Sequence, residues 1–180
     1  MIKKLINLIL SLTKSKRRLL MSIKLFVNAE LNDGLVNVYD SQDRSQPEVI
    51  KFLKRELKGK TVVTDEYHEE LLNKEGIVPK EFIVLDVMLG VPQAQIDNVL
   101  SQISKDIVVY GSSEVYEPLF NKAVSISMMR HHTPMRCWEF LPEFKEDDWK
   151  VENIKKLKTS KKYDYDMSEV LYSRKLRIVK

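Results

Sequence analysis

The chain is short of the features that staple, span or chelate. Its only cysteine is Cys137, so no internal disulfide is available, and a reducing compartment, the cytoplasm, is the expected setting. No apolar run approaches the roughly 20 residues that a bilayer span requires. Three histidines, His68, His131 and His132, fall with Cys137 into no zinc-ligand spacing, so no metal site is expected. Internal repeats and low-complexity segments are also missing. A chain of 180 residues with 43% hydrophobic content still builds an ordinary core as one domain.

Acidic residues are absent from the first 21 positions, which carry Lys3, Lys4, Lys14, Lys16, Arg17 and Arg18. Those six charges exceed the overall net charge of +4, so residues 22–180 are two units acidic. The basic pI belongs to the tail, and the body lacks the electropositive footprint of a nucleic-acid-binding domain. In the tail, Ile2, Leu5, Ile6, Ile9 and Leu12 recur at helical spacing. A basic amphipathic helix of this kind lies on an anionic membrane or docks into a partner groove. The plainer reading is an extension ahead of a first strand that starts near Ser22. The expected organisation is an extension over 1–21 and a domain over 22–180.

Apolar β-rich runs predict strands over 23–27, 61–64, 82–85, 106–110, 124–130, 149–157 and 168–178. Helices are expected from Pro47 to a stop at Gly59, over 66–73, from Pro92 through Ile103, and over 113–121. Strands alternate with helices and the chain closes on an antiparallel pair. The pattern predicts an α/β three-layer sandwich: a central, mostly parallel sheet with antiparallel C-terminal strands and helices on both faces. Residues 82–85 read as a buried strand.

A set of ordered motifs runs through this pattern. An apolar strand leads to Gly111-Ser112 and Tyr116, followed by Phe140, Pro142-Glu143, Asp147 and Trp149. Upstream lie Gly34, Gln46-Pro47-Glu48-Val49 and the run Gly59-Lys60-Thr61-Val62-Val63-Thr64-Asp65-Glu66, and Tyr163-Asp164-Tyr165 precedes the last strand. In order and spacing this resembles the dihydrofolate reductase family from about Ser22 to Lys175. The resemblance implies that family's fold, NADPH as cofactor and a folate or pterin as substrate. It places cofactor contacts at Gly111, Ser112 and Ser113, and substrate contacts at Ala29, Phe52 and Lys80.

The residues that would do the chemistry depart from the family's pattern. Val49 stands at the register of the buried acid that assists pterin protonation. Glu48, the candidate catalytic acid, is one residue earlier, a rotation of about 100° on a helix. Asp65-Glu66 replaces the Gly-Arg that meets cofactor phosphates, so repulsion replaces a bidentate fork. Asp86 replaces a phosphate-side serine, Met129 a threonine, Trp138 an aspartate, and Gly111-Ser112 a Gly-Gly pair. The mobile-loop segment at Asp40–Arg44 lacks the family's sequence. Pro47, Lys60, Tyr116, Phe140, Pro142 and Trp149 are scaffold positions that match.

Three functional expectations therefore stand together. The first is a reductase-like protein with weak or lost activity, doubtful NADPH binding, and a role in binding or assembly. The second is an active divergent reductase of dihydrofolate, or of a related pterin or pyrimidine, using Glu48. The third is a membrane- or partner-docked module anchored through residues 1–20.

Overall fold

The computed structural model describes residues 23–37, 46–102, 106–158 and 165–175. The expected tail helix, the loop segment at Asp40–Arg44, Ile103, Tyr163-Asp164 and the end of the last strand fall outside them. The described residues form strands β1 (Lys24–Ala29), β2 (Thr61–Asp65), β3 (Glu81–Leu85), β4 (Ile107–Val109), β5 (Ser125–His131), β6 (Trp149–Leu157) and β7 (Met167–Arg174). Between them run helices α1 (Pro47–Leu57), α2 (Glu66–Lys74), α3 (Gln93–Ser101) and α4 (Ser113–Phe120).

One sheet holds all seven strands in the order β3-β2-β4-β1-β5-β7-β6. The first five are parallel, and β7 runs antiparallel to both β5 and β6. Pairing of β6 with β7 is interrupted by a bulge between Val151 and Asn153. This is the α/β architecture that the alternating pattern predicts.

Side chains alternate across a strand, and the strands feed two separate cores. On one face Leu25, Val27, Val63, Val109 and Met128 pack with Val99 of α3 and Val115 and Leu119 of α4. On the other, Phe26, Val62, Val108 and Met129 pack with Val49, Phe52 and Leu53 of α1 and Leu71 and Leu72 of α2. Strands buried on both faces explain the unbroken Val/Ile runs at 62–63 and 107–109. The expectation of a buried third strand is corrected. β3 is the sheet's edge, and only Leu85 of its five residues is buried. An apolar run cannot reveal its own place in the strand order.

The order of the strands also opens the sheet. Two helices lie on each face, and the chain reverses its winding between β1 and β4. β4 pairs with β1 only at Lys24 and Leu25, so the two strands part beyond that point. Tyr116 of α4 fills the opening. Its hydroxyl donates to the Phe26 carbonyl at 2.6 Å and accepts from the Gly111 amide at 3.3 Å. A phenol that is 1% exposed thus satisfies one backbone group from each diverging strand.

Tyr116→Phe keeps the ring and removes both bonds. The expected loss is about 1–2 kcal/mol, read as a lower urea midpoint at unchanged slope.

Candidate functional site

The parted strands define the head of a cleft, in the position where open α/β sheets bind ligands: beyond the carboxyl ends of the strands at the reversal of winding. The cleft is open and holds roughly 930 Å³. Asn28 at the end of β1, Asp65 at the end of β2, and Tyr110, Gly111 and Ser112 after β4 reach it. Residues 135–139 form its far wall.

Asp65 organises the floor. As N-cap of α2 it accepts from the His68 amide at 2.9 Å. The same carboxylate takes the His68 ring Nδ1 at 2.8 Å and, through Oδ2, the Ser112 amide at 2.9 Å. Ser112 is the N-cap residue of α4. One side chain therefore closes the amino ends of two helices, where unpaired amides and the helix dipole attract negative charge. The Ser113 amide, the next along, donates to Glu139 Oε2 at 2.9 Å. Three amides at these helix starts, from His68, Ser112 and Ser113, are thus taken by carboxylates of the chain itself.

Burial pushes the Asp65 carboxyl pKa up, but the His68 ring and the Ser112 and His68 amides outweigh it and hold it well below its ordinary value. Gly111 is needed beside it: a Cβ there would lie 2.9 Å from Asp65 Oδ2 and 3.0 Å from Val115. The strand end and the helix start approach too closely for any larger residue.

A second buried carboxylate builds the far wall. Glu30, 1% exposed, accepts from the amides of Asn32 at 2.8 Å, Gly34 at 3.0 Å and Met135 at 3.3 Å. It ties the loop after β1 to the loop after β5. Gly34 is again steric, because a Cβ would meet Cys137 at 2.7 Å.

Beside the cleft, the Asn28 amide is oriented by donation to the Val36 carbonyl at 2.8 Å. Its oxygen then accepts from His131 Nε2 at 2.7 Å. The His131 Nδ1 is buried without a partner, as befits a neutral ring. Burial, reinforced by the charges of His132 and Arg130, lowers the His131 pKa to about 4. His132 faces elsewhere, toward the Ser168 hydroxyl at 2.8 Å.

The residues singled out in the sequence scatter over this geometry. Gly111 and Ser112 line the cleft, and their strand-end position follows from the winding reversal. Ser113 contributes its amide to Glu139. Val49 is fully buried among Phe26, Phe52 and Met129. Glu48 is half-buried in the first turn of α1 and is not among the residues lining the cleft. Phe52 packs on Phe26 with ring centroids 4.4 Å apart, and Ala29 is buried at the end of β1. Lys80 is exposed just before β3, at the amino ends of the strands and therefore opposite the cleft. Asp86 accepts from the Met88 amide at 3.1 Å and does not line the cleft. Trp138 stands on the rim, 82% exposed, with the Arg136 guanidinium 4.7 Å from its ring.

Sequence reasoning missed the Asp65–His68 pair, the Glu30 wall and the His131–Asn28 pair. The first carried a signal: an aspartate directly before a helix is a favoured N-cap. The others carried none, since they join residues about 100 positions apart.

The class defined is an open α/β sheet with a cleft at its winding reversal. Among solved structures, the chain is similar to the dihydrofolate reductase from Enterococcus faecalis complexed with NADP(H) and RAB-propyl. The two share 16% identity over 84% of this chain and 95% of that one, with a TM-score of 0.65. The fold is dihydrofolate reductase-like. No protein-family model and no curated protein matches the sequence.

Two acid-sensitive elements follow from these pKa shifts. His131 is held neutral when folded but binds a proton when unfolded, so between about pH 6.5 and 4 stability falls with falling pH, by on the order of 3 kcal/mol. His131→Gln should remove that slope. Asp65 adds stability that is complete above the ordinary carboxyl range and is lost below about pH 4. Asp65→Asn should cost about 1–3 kcal/mol at pH 7 and flatten that lower limb. Urea unfolding from pH 3 to pH 8 separates the two.

Proposed function

We propose that this chain is a dihydrofolate reductase-like binding protein in which reductase chemistry is weak or lost. The observation that carries the reading is the Asp65 carboxylate at the joined amino ends of α2 and α4. A dinucleotide phosphate seats on free helix amides with complementary charge. Here the amides of His68, Ser112 and Ser113 hold Asp65 and Glu139, and the acidic Glu66 follows at once. NADP(H), present in the solved relative by fold, does not fit these residues.

The pterin side supports the same reading. A reductase needs a proton donor beside the substrate ring, and the expected register holds Val49 in a packed apolar cluster with Met129 and Phe26. The alternative of an active divergent enzyme relies on Glu48, which does not reach the cleft wall. A folate or related pterin is retained only as a ligand class suggested by the fold. For the membrane-docked alternative, residues 1–20 fall outside the described structure, and no described helix is long and apolar enough to cross a bilayer.

NADPH titrated into the purified full chain should leave the melting temperature unchanged, whereas a resident cofactor at a hundredfold excess over Kd adds about 2.7 kcal/mol. The double change Asp65→Gly, Glu66→Arg should gain at least about tenfold in NADPH affinity, roughly one phosphate contact regained. A clear melting shift in the unmodified chain, with dihydrofolate-dependent oxidation of NADPH, would sink the proposal.

A further inference from the structure

The two edges of the sheet are finished differently. β6 carries Lys150, Lys155 and Lys156 and is interrupted by the bulge between Val151 and Asn153. Lysines and bulges keep an edge strand from recruiting another chain. β3 has neither: Glu81–Leu85 contains no lysine and no proline, and it pairs with β2 in unbroken register. Among the described residues no strand lies on its other side, so the N–H and C=O groups of alternate residues face outward there. Val78, Val84, Met88 and Leu89, on and beside this strand, are all exposed. An apolar open edge of this kind is a template for one more strand.

The edge is also complementary to itself. When two copies of β3 meet antiparallel about a two-fold axis at Ile83, each residue faces the one equally far beyond Ile83 in the other copy. Phe82 then faces Val84, Lys80 faces Asp86, and Val78 faces Met88, each pairing occurring twice. Side chains directly opposite lie about 5 Å apart on one face of the sheet, so apolar meets apolar and unlike charges meet at both ends. Lys80 and Asp86 are exposed and form no ion pair among the described residues. The Asp86 carboxylate accepts only the Met88 amide, at 3.1 Å. Moving the axis to Phe82 or Val84 sets Lys80 against Val84 or Met88 and loses both charge pairs. Pairing β3 with β6 of another copy would build an open chain of molecules, and the β6 lysines and bulge oppose it.

We infer that β3 is the interface of a closed two-fold homodimer. A second copy of this chain occupies the open edge, two sheets join through Glu81–Leu85, and a Lys80–Asp86 ion pair at each end fixes the register. A five-residue strand makes a small interface, so the dimer exchanges with monomer.

The test is sedimentation velocity of the purified full chain from about 10 μM to about 1 mM, which should show monomer passing to dimer with no larger species. Lys80→Glu and Asp86→Lys each set like charges opposite one another at both ends and should each weaken the dimer at least about tenfold. Combining the two restores unlike pairs and should recover the original affinity to within about threefold. Val84→Lys puts a lysine on the exposed edge and should leave a monomer throughout. Circular dichroism of each variant at low concentration checks that it is folded. Within one chain Lys80 and Asp86 lie about 20 Å apart along an extended strand, so a zero-length carbodiimide link between them forms only between copies, and it should be found in the dimer. A chain that stays monomeric at about 1 mM leaves the edge to another occupant and overturns the inference. A dimer that survives Val84→Lys, a dimer indifferent to the single charge reversals, or growth into open-ended oligomers overturns it as well.

Discussion

A single carboxylate at the end of β2 holds the cleft together. Asp65 receives the His68 amide in the first turn of α2, the ring of His68 and the amide of Ser112, the N-cap residue of α4. These groups come from two helices on opposite faces of the sheet. Their amino ends converge because the winding reverses between β1 and β4. Convergent helix ends concentrate positive potential, and a fold with that geometry must neutralise it with a bound anion or with its own side chain. This chain does the second, and Gly111 is held without a Cβ so that the carboxylate fits.

That arrangement changes what the scaffold is suited to. In an open α/β fold the ligand site sits at the reversal whatever the chemistry, so the cleft persists when its residues change. Asp65 and Glu139 occupy amides at the starts of α2 and α4, and Val49 and Met129 belong to the core under α1. What lines the opening is a wall of rings and carboxylates. Shape is inherited from topology, and preference for charge is set by the few side chains that reach the opening.

The wall opposite Asp65 depends on a second internal ion. Glu30 is almost inaccessible and collects amides from two loops. Arg130 closes the same region by an ion pair with Asp33 at 2.7 Å. A buried carboxylate is tolerable only when several donors reach it, so both loops must be in place together. The two sides of the cleft are therefore each built around an acid that collects backbone N–H groups, joined at Asp65 by the His68 ring.

Much of this molecule was legible in its sequence. Periodicity located the strands and helices, because burial on one face or two imposes a repeat that the chain must carry locally. The motifs around Gly111, Tyr116 and Trp149 pointed to the fold. The edge position of β3 was not, since strand order is a property of the whole sheet. Nor was the reach of Asp65 to Ser112, 47 residues away, or the distance of Lys80 from the cleft. Local pattern determines which segments form and which faces they bury. Only tertiary structure decides which charges meet, because an ion's partners are chosen by proximity in space and by the absence of water, neither of which is written in neighbouring residues.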